Sequence, residues 1–164
     1  MRSVEIRRGY VPGSIGRVVE LHGKYYHTHW GFGAFFETKV AKDLAEFMSR
    51  YEEAKDGFWL GLGSGRVEGA IAIDGIKASD TGAHLRWFIV SDAIRGSGLG
   101  RKLIDTALGF CRQNAYKTVY LWTFDGLHAA RHLYESMGFE LVEQHKGKQW
   151  GTEVIEQRFE LQLG

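Results

Sequence analysis

Between residues 95 and 100 the chain reads Arg95-Gly96-Ser97-Gly98-Leu99-Gly100, three glycines at alternate positions. An apolar run ends just before it and an amphipathic one begins just after. Glycine lacks the Cβ that would keep a ligand away from the main chain, so such a turn can aim several N–H groups inward. A helix opening here adds its unpaired first-turn N–H groups and the positive end of its dipole. The chemistry this suits is the binding of a phosphate or pyrophosphate, with Arg95 and Arg101 placed for charge-assisted contacts. Spacing excludes two other phosphate motifs. A P-loop requires Gly-Lys-Ser/Thr at its end, whereas Arg101-Lys102-Leu103 follows Gly100 here. The dinucleotide fingerprint requires G-x-G-x-x-G, whereas this turn is G-x-G-x-G.

Other reactive side chains are sparse. A single cysteine, Cys111, allows neither an internal disulfide nor a cysteine-cluster metal site and suits a reducing, cytoplasmic setting. Histidines and aromatics crowd one stretch: His22, Tyr25, Tyr26, His27, His29, Trp30, Phe32, Phe35 and Phe36. His27 and His29 are two apart and share no helix face, so no metal is expected. The aromatics could form the wall of a pocket for an amine.

The elements that must position these groups follow from periodicity. Val4 to Arg8 alternates as a strand, and Gly9 to Gly13 turns. Helices are expected over 14–30 and 37–54, the second with Val40, Leu44, Phe47, Met48 and Tyr51 on one face. Phe58 to Leu62 and Val67 to Ile73 form a hairpin about Gly63-Ser64-Gly65. His84 to Val90 is a strand apolar on both faces, hence central, with Leu85, Trp87 and Ile89 expected on one face and Phe88 and Val90 on the other. A helix follows the glycine turn to about Asn114, burying Leu99, Leu103, Ile104, Ala107, Leu108 and Cys111. Then come a strand at Thr118 to Thr123, a helix over 127–137 closed by Gly138, and strands at Phe139 to His145 and Glu153 to Leu161. The order β, αα, βββ, α, β, α, ββ describes an α/β domain over 1–164. Its expected centre is a mixed, mostly antiparallel sheet flanked by about four helices.

Composition bounds the partners. The chain has 164 residues, 44% of them hydrophobic and 25% charged, and a formal net charge of +1. Such a balance is globular and offers no basic footprint for nucleic acid. No apolar h-region opens the sequence and no run is long enough to span a bilayer, so no membrane partner is expected.

With the turn and the elements in place, the chain resembles the GNAT acetyltransferase superfamily. Arg95-Gly96-Ser97-Gly98-Leu99-Gly100 matches its cofactor motif between strand and helix. Ala130-Arg131-His132-Leu133-Tyr134, followed by Gly138-Phe139, is similar to its later helix. The strand Leu85-Arg86-Trp87-Phe88 and the region His22-Gly23-Lys24-Tyr25 also resemble the acetyltransferase domain fused to MarR-type regulators, with no segment left over for a DNA-binding half. The resemblance implies acetyl-coenzyme A as cosubstrate, lying where two parallel strands, His84 to Val90 and Thr118 to Thr123, splay apart. Backbone groups of Phe88, Ile89 and Val90 would pair with the pantetheine arm. The amides from Gly96 through Ser97, Gly98, Leu99 and Gly100 to Arg101 would hold the pyrophosphate. A small-molecule or peptide amine would attack the thioester directly, with Tyr134 protonating the departing thiolate.

For the base, many relatives carry a glutamate eleven positions before the motif, where this chain has His84. Glu68, Asp125 and His128 are further candidates. Where many relatives have an asparagine seven positions before the tyrosine, this chain has Leu127. Tyr25, Tyr26, Trp30 and Arg86 are expected to meet the acceptor, and a homodimer is compatible with the family. A non-catalytic acyl-coenzyme A sensor of the same fold is the alternative reading.

Overall fold

The computed structural model describes residues 4–164; the first three residues of the expected domain lie outside the described residues. Strand β1 (Val4–Arg8) is followed by helices α1 (Ser14–Trp30) and α2 (Ala34–Ser49). Next come β2 (Gly57–Gly63), β3 (Arg66–Asp74) and β4 (Ala83–Val90). A short 3-10 turn (Asp92–Ile94) leads to α3 (Leu99–Gln113), β5 (Thr118–Phe124), α4 (His128–Ser136), β6 (Glu140–Gly147) and β7 (Val154–Gln162).

The strands form one seven-stranded sheet in the order β1-β2-β3-β4-β5-β7-β6. Every pairing is antiparallel except β4 with β5. The mixed sheet and its four helices agree with the fold expected. The β2–β3 hairpin closes through Ser64 and Gly65, both at positive φ (54° and 79°), the backbone twist that a two-residue hairpin turn needs. As its two apolar faces require, β4 stands fourth of seven.

Each face of the sheet carries its own core. On one side Leu103, Ile104 and Leu108 of α3 and Tyr134 of α4 pack on Ile71, Ile73, Leu85, Leu121 and Phe159. On the other, Val18 and Leu21 of α1 and Leu44 and Phe47 of α2 pack on Phe58, Leu60, Ala70, Ala72 and Ile89.

Two sequence expectations are corrected. Helix α2 runs over Ala34–Ser49 instead of 37–54. It starts at Gly33, whose carbonyl accepts the Glu37 N–H. It stops where Arg50 turns to make a two-pronged ion pair with the buried Asp74. The chain beyond is held by Asp56, whose carboxylate accepts the Glu52 and Gly75 amides.

The second correction is in β4, whose sides do not alternate throughout. Its register against β3 passes from Ala72↔Arg86 to Ala70↔Ile89, so three steps on β4 face two on β3. Such a β-bulge inserts a residue and twists the strand. Trp87 takes the strain at φ 49°. Leu85, Phe88 and Val90 therefore face α3, while Trp87 and Ile89 face α1 and α2.

Candidate active site

The bulge opens the site. Strands β4 and β5 pair only at Ala83↔Val119 and His84↔Tyr120; beyond these residues the two strands continue without pairing. A cleft of about 520 Å³ occupies the divergence and reaches both faces of the sheet. This is a usual size for a small-molecule site.

At the α3 end the cleft is floored by the glycine turn. Gly96 and Gly98 sit at φ +83° and +82°, backbone that side chains strain to adopt. A Cβ built on either glycine would meet nothing within 4 Å, so conformation, and not crowding within the protein, calls for glycine there. Ser97 Oγ accepts the Leu99 amide, and Lys102 N–H reaches back to Gly98. The amides of Gly96, Gly98, Gly100 and Arg101 have no partner among the described residues. Together with the α3 dipole they make a cluster of open donors of the kind that suits an anion. Arg95 lines the cleft while paired to Asp92. Arg101 lies outside the lining, near Ser136 Oγ at 3.4 Å.

Midway, Tyr134 of α4 is packed among Phe88, Phe139 and Phe159. It is 6% exposed. Burial, reinforced by the neighbouring Tyr26 phenol, pushes its pKa well above the usual tyrosine range, so it is a protonated donor.

On the α1–α2 side the wall is aromatic. Tyr26 contacts Tyr25, Phe36 and Phe124 at centroid separations of 5.0, 5.0 and 6.0 Å. Trp87, Trp122 and Trp150 complete this side. Its charged groups are Lys39, Asp43 and Arg86. Arg86 stacks on Trp87 at 4.2 Å and pairs with Asp74 at 3.2 Å and Asp43 at 3.7 Å. Trp30 is outside the lining, edge-on to Phe124 and filling the space that a Cβ on Gly126 would take.

The expected bases separate clearly. His84 lines the cleft at its closed end, its ring stacked on Tyr120 at 4.4 Å. Burial, with Arg86 and Arg158 nearby and Asp74 opposing, lowers its pKa to about 3. Glu68 is buried outside the lining in an ion pair with Arg17. Asp125 and His128 are exposed and outside it too. Leu127, seven positions before Tyr134, does line the cleft. Cys111 is buried, its thiol pushed up to about 12, and inert.

Sequence reasoning missed Lys39 and Asp43, an i,i+4 pair on the polar face of α2, and Gln149 with Trp150 from the β6–β7 turn. The first pair had a helical signal; the second lies in a turn that carries none. Among the described residues no cluster of three or more metal-ligating side chains occurs, and no helix is long and apolar enough to cross a membrane.

Comparison with known proteins places this geometry. Residues 17–139 match the acetyltransferase (GNAT) family, and the chain belongs to it. Over 101 residues it is 34% identical to N-acetyltransferase family 8 member 2 of Rattus norvegicus, covering 60% of this chain and 45% of the relative. Over 123 residues it is 28% identical to N-acetylaspartate synthetase of Danio rerio, covering 74% and 43%. The chain thus spans less than half the length of these two relatives. In fold it resembles an acetyltransferase of the GNAT family from Staphylococcus aureus Mu50 (TM-score 0.78, 18% identity, 99% and 100% covered). It also resembles yncA from Salmonella typhimurium, solved with its cofactor acetyl-CoA (TM-score 0.74, 19% identity, 98% and 94% covered).

Proposed function

We propose that the protein transfers the acetyl group of acetyl-coenzyme A to a primary amine by direct attack within a ternary complex. One observation carries the reading: a single cleft joins the unpartnered amides of Gly96, Gly98 and Gly100 at the mouth of α3 to a protonated tyrosine and an aromatic acceptor wall. The names of the relatives, an N-acetyltransferase and an N-acetylaspartate synthetase, are in keeping with a nitrogen acceptor.

In this reading the open amides of Gly96, Gly98, Gly100 and Arg101 hold the pyrophosphate, while those of Ser97 and Leu99 stay bonded to the Ile94 carbonyl and Ser97 Oγ. The main chain of Phe88, Ile89 and Val90, unpaired on its β5 side, takes the pantetheine arm as an added strand. An N–H near Phe88 or Ile89 steadies the oxyanion as the amine adds. The C–S bond then breaks and Tyr134 gives its proton to the sulfur. Tyr25, Tyr26 and Arg86 border the acceptor. His84 is the base expected from spacing, but it lies stacked on Tyr120 at the closed end of the cleft with Arg86 and Arg158 beside it, a poor place to receive a proton.

Replacing Tyr134 with Phe tests the assignment. We expect thiol release to slow by roughly 10²–10⁴-fold, the usual worth of a positioned proton donor, with acetyl-coenzyme A affinity unchanged. Unchanged turnover would remove Tyr134 from the chemistry.

A further inference from the structure

His22 on α1 is 5% exposed. Its Nδ1 lies 2.8 Å from the Val18 carbonyl one helical turn earlier. A carbonyl can only accept, so Nδ1 carries the hydrogen and Nε2 presents a lone pair. Nε2 has no partner among the described residues, yet it is not sealed in the core with the unpartnered buried atoms; the ring lines the cleft. The ring lies parallel to Tyr26, 6.2 Å between centroids and 14° between planes. Tyr26 and Tyr134 line the same cleft, one from each side of the sheet. An imidazole acceptor and a phenol donor thus approach one cleft from opposite faces of the sheet.

We propose that His22 is the catalytic residue on the amine side: Nε2 accepts a hydrogen bond from the attacking amine and takes its proton as the C–N bond forms. The inference rests on the acetyl-transfer reading above. The proton balance is complete. The amine N–H passes to His22 Nε2, the C–S bond breaks, the Tyr134 proton passes to the sulfur, and solvent returns the imidazole proton to the phenolate. His22 suits this better than His84. No cation bears on it, whereas His84 sits between Arg86 and Arg158 and is stacked on Tyr120. Burial keeps His22 neutral, its pKa lowered to about 4, so its lone pair is free throughout the neutral range.

The test needs no knowledge of the natural acceptor. Bromoacetyl-coenzyme A places an alkylating carbon where the acetyl methyl would lie; attack forms a C–N bond and expels bromide. We expect one label per chain, mapped by mass spectrometry to His22, protected by excess coenzyme A and lost in His22→Gln. With hydroxylamine as nucleophile, His22→Gln should slow thiol release by roughly 10²-fold or more. Coenzyme A affinity should stay within about twofold, and added imidazole should restore the rate of His22→Gly; a merely structural role would show no such rescue. A coenzyme A-protected label on another residue, or hydroxylamine turnover unchanged in His22→Gln, overturns the proposal while leaving acetyl transfer standing. Failure of the wild type to bind coenzyme A by calorimetry defeats the underlying reading instead.

Discussion

The two histidines of the cleft are held neutral by burial, and that has a consequence for stability. Both have folded pKa values below the ordinary histidine value, about 4 for His22 and about 3 for His84. As pH falls through about 6.5 the unfolded chain takes up protons that the folded chain refuses, so stability is full above that pH and drains away toward pH 4. By pH 4.5 the loss from His22 alone amounts to about 3 kcal/mol. Urea midpoints should hold from pH 7.5 to about 6.5 and then fall down to pH 4.5, and His22→Gln or His84→Gln should flatten that fall; a flat wild-type profile throughout would contradict the burial described. At this scale the sequence was partly legible. Tyr134 stood out because Leu133 and Gly138-Phe139 frame it, and His84 because of its distance from the glycine turn. The tautomer of His22 was not legible, since it depends on the Val18 carbonyl below it and the Tyr26 ring beside it.

The elements divide into those that set the turn and those that tolerate change. A Cβ at Gly61 of β2 would lie 2.5 Å from Leu99 Cδ2, in the first turn of α3. Leu99 is 1% exposed and has nowhere to go. Gly61→Ala should therefore cost roughly 1–3 kcal/mol by overpacking and weaken acetyl-coenzyme A binding by shifting the glycine turn. Gly16 on the exposed side of α1 has nothing within 4 Å of a Cβ. Gly16→Ala should add roughly 0.5–1 kcal/mol from helix propensity and leave binding untouched. Paired chemical denaturation and calorimetry check both; a harmless Gly61→Ala would contradict the packing of β2 on α3. Hydrophobic period placed nearly every element, because each helix and strand buries a face. It missed the bulge in β4, because nothing in Trp87 or its neighbours marks a positive φ. It also overran α2, because the end is fixed by the distant Asp74 and not by a local stop signal.

In the whole molecule the central pair of strands is the device. Seven strands could have closed the sheet without a gap; instead the parallel pairing of β4 with β5 stops after two residue pairs, and helices on both faces of the sheet line the opening. The glycine turn and Tyr134 are thereby joined to an aromatic wall built from α1, α2 and the β6–β7 turn. Distant contacts of this kind have no local pattern to read. The central claim is that this opening binds acetyl-coenzyme A through the turn at residues 96–101. Calorimetric titration of the wild type beside Gly98→Trp tests it most directly, since Gly98 lines the cleft at φ +82° with open space about a Cβ, so an indole there strains the turn and takes up room beside the open amides. Micromolar binding by the wild type, abolished in a folded Gly98→Trp, is the result expected; no binding by the wild type, or equal binding by both, would contradict the account.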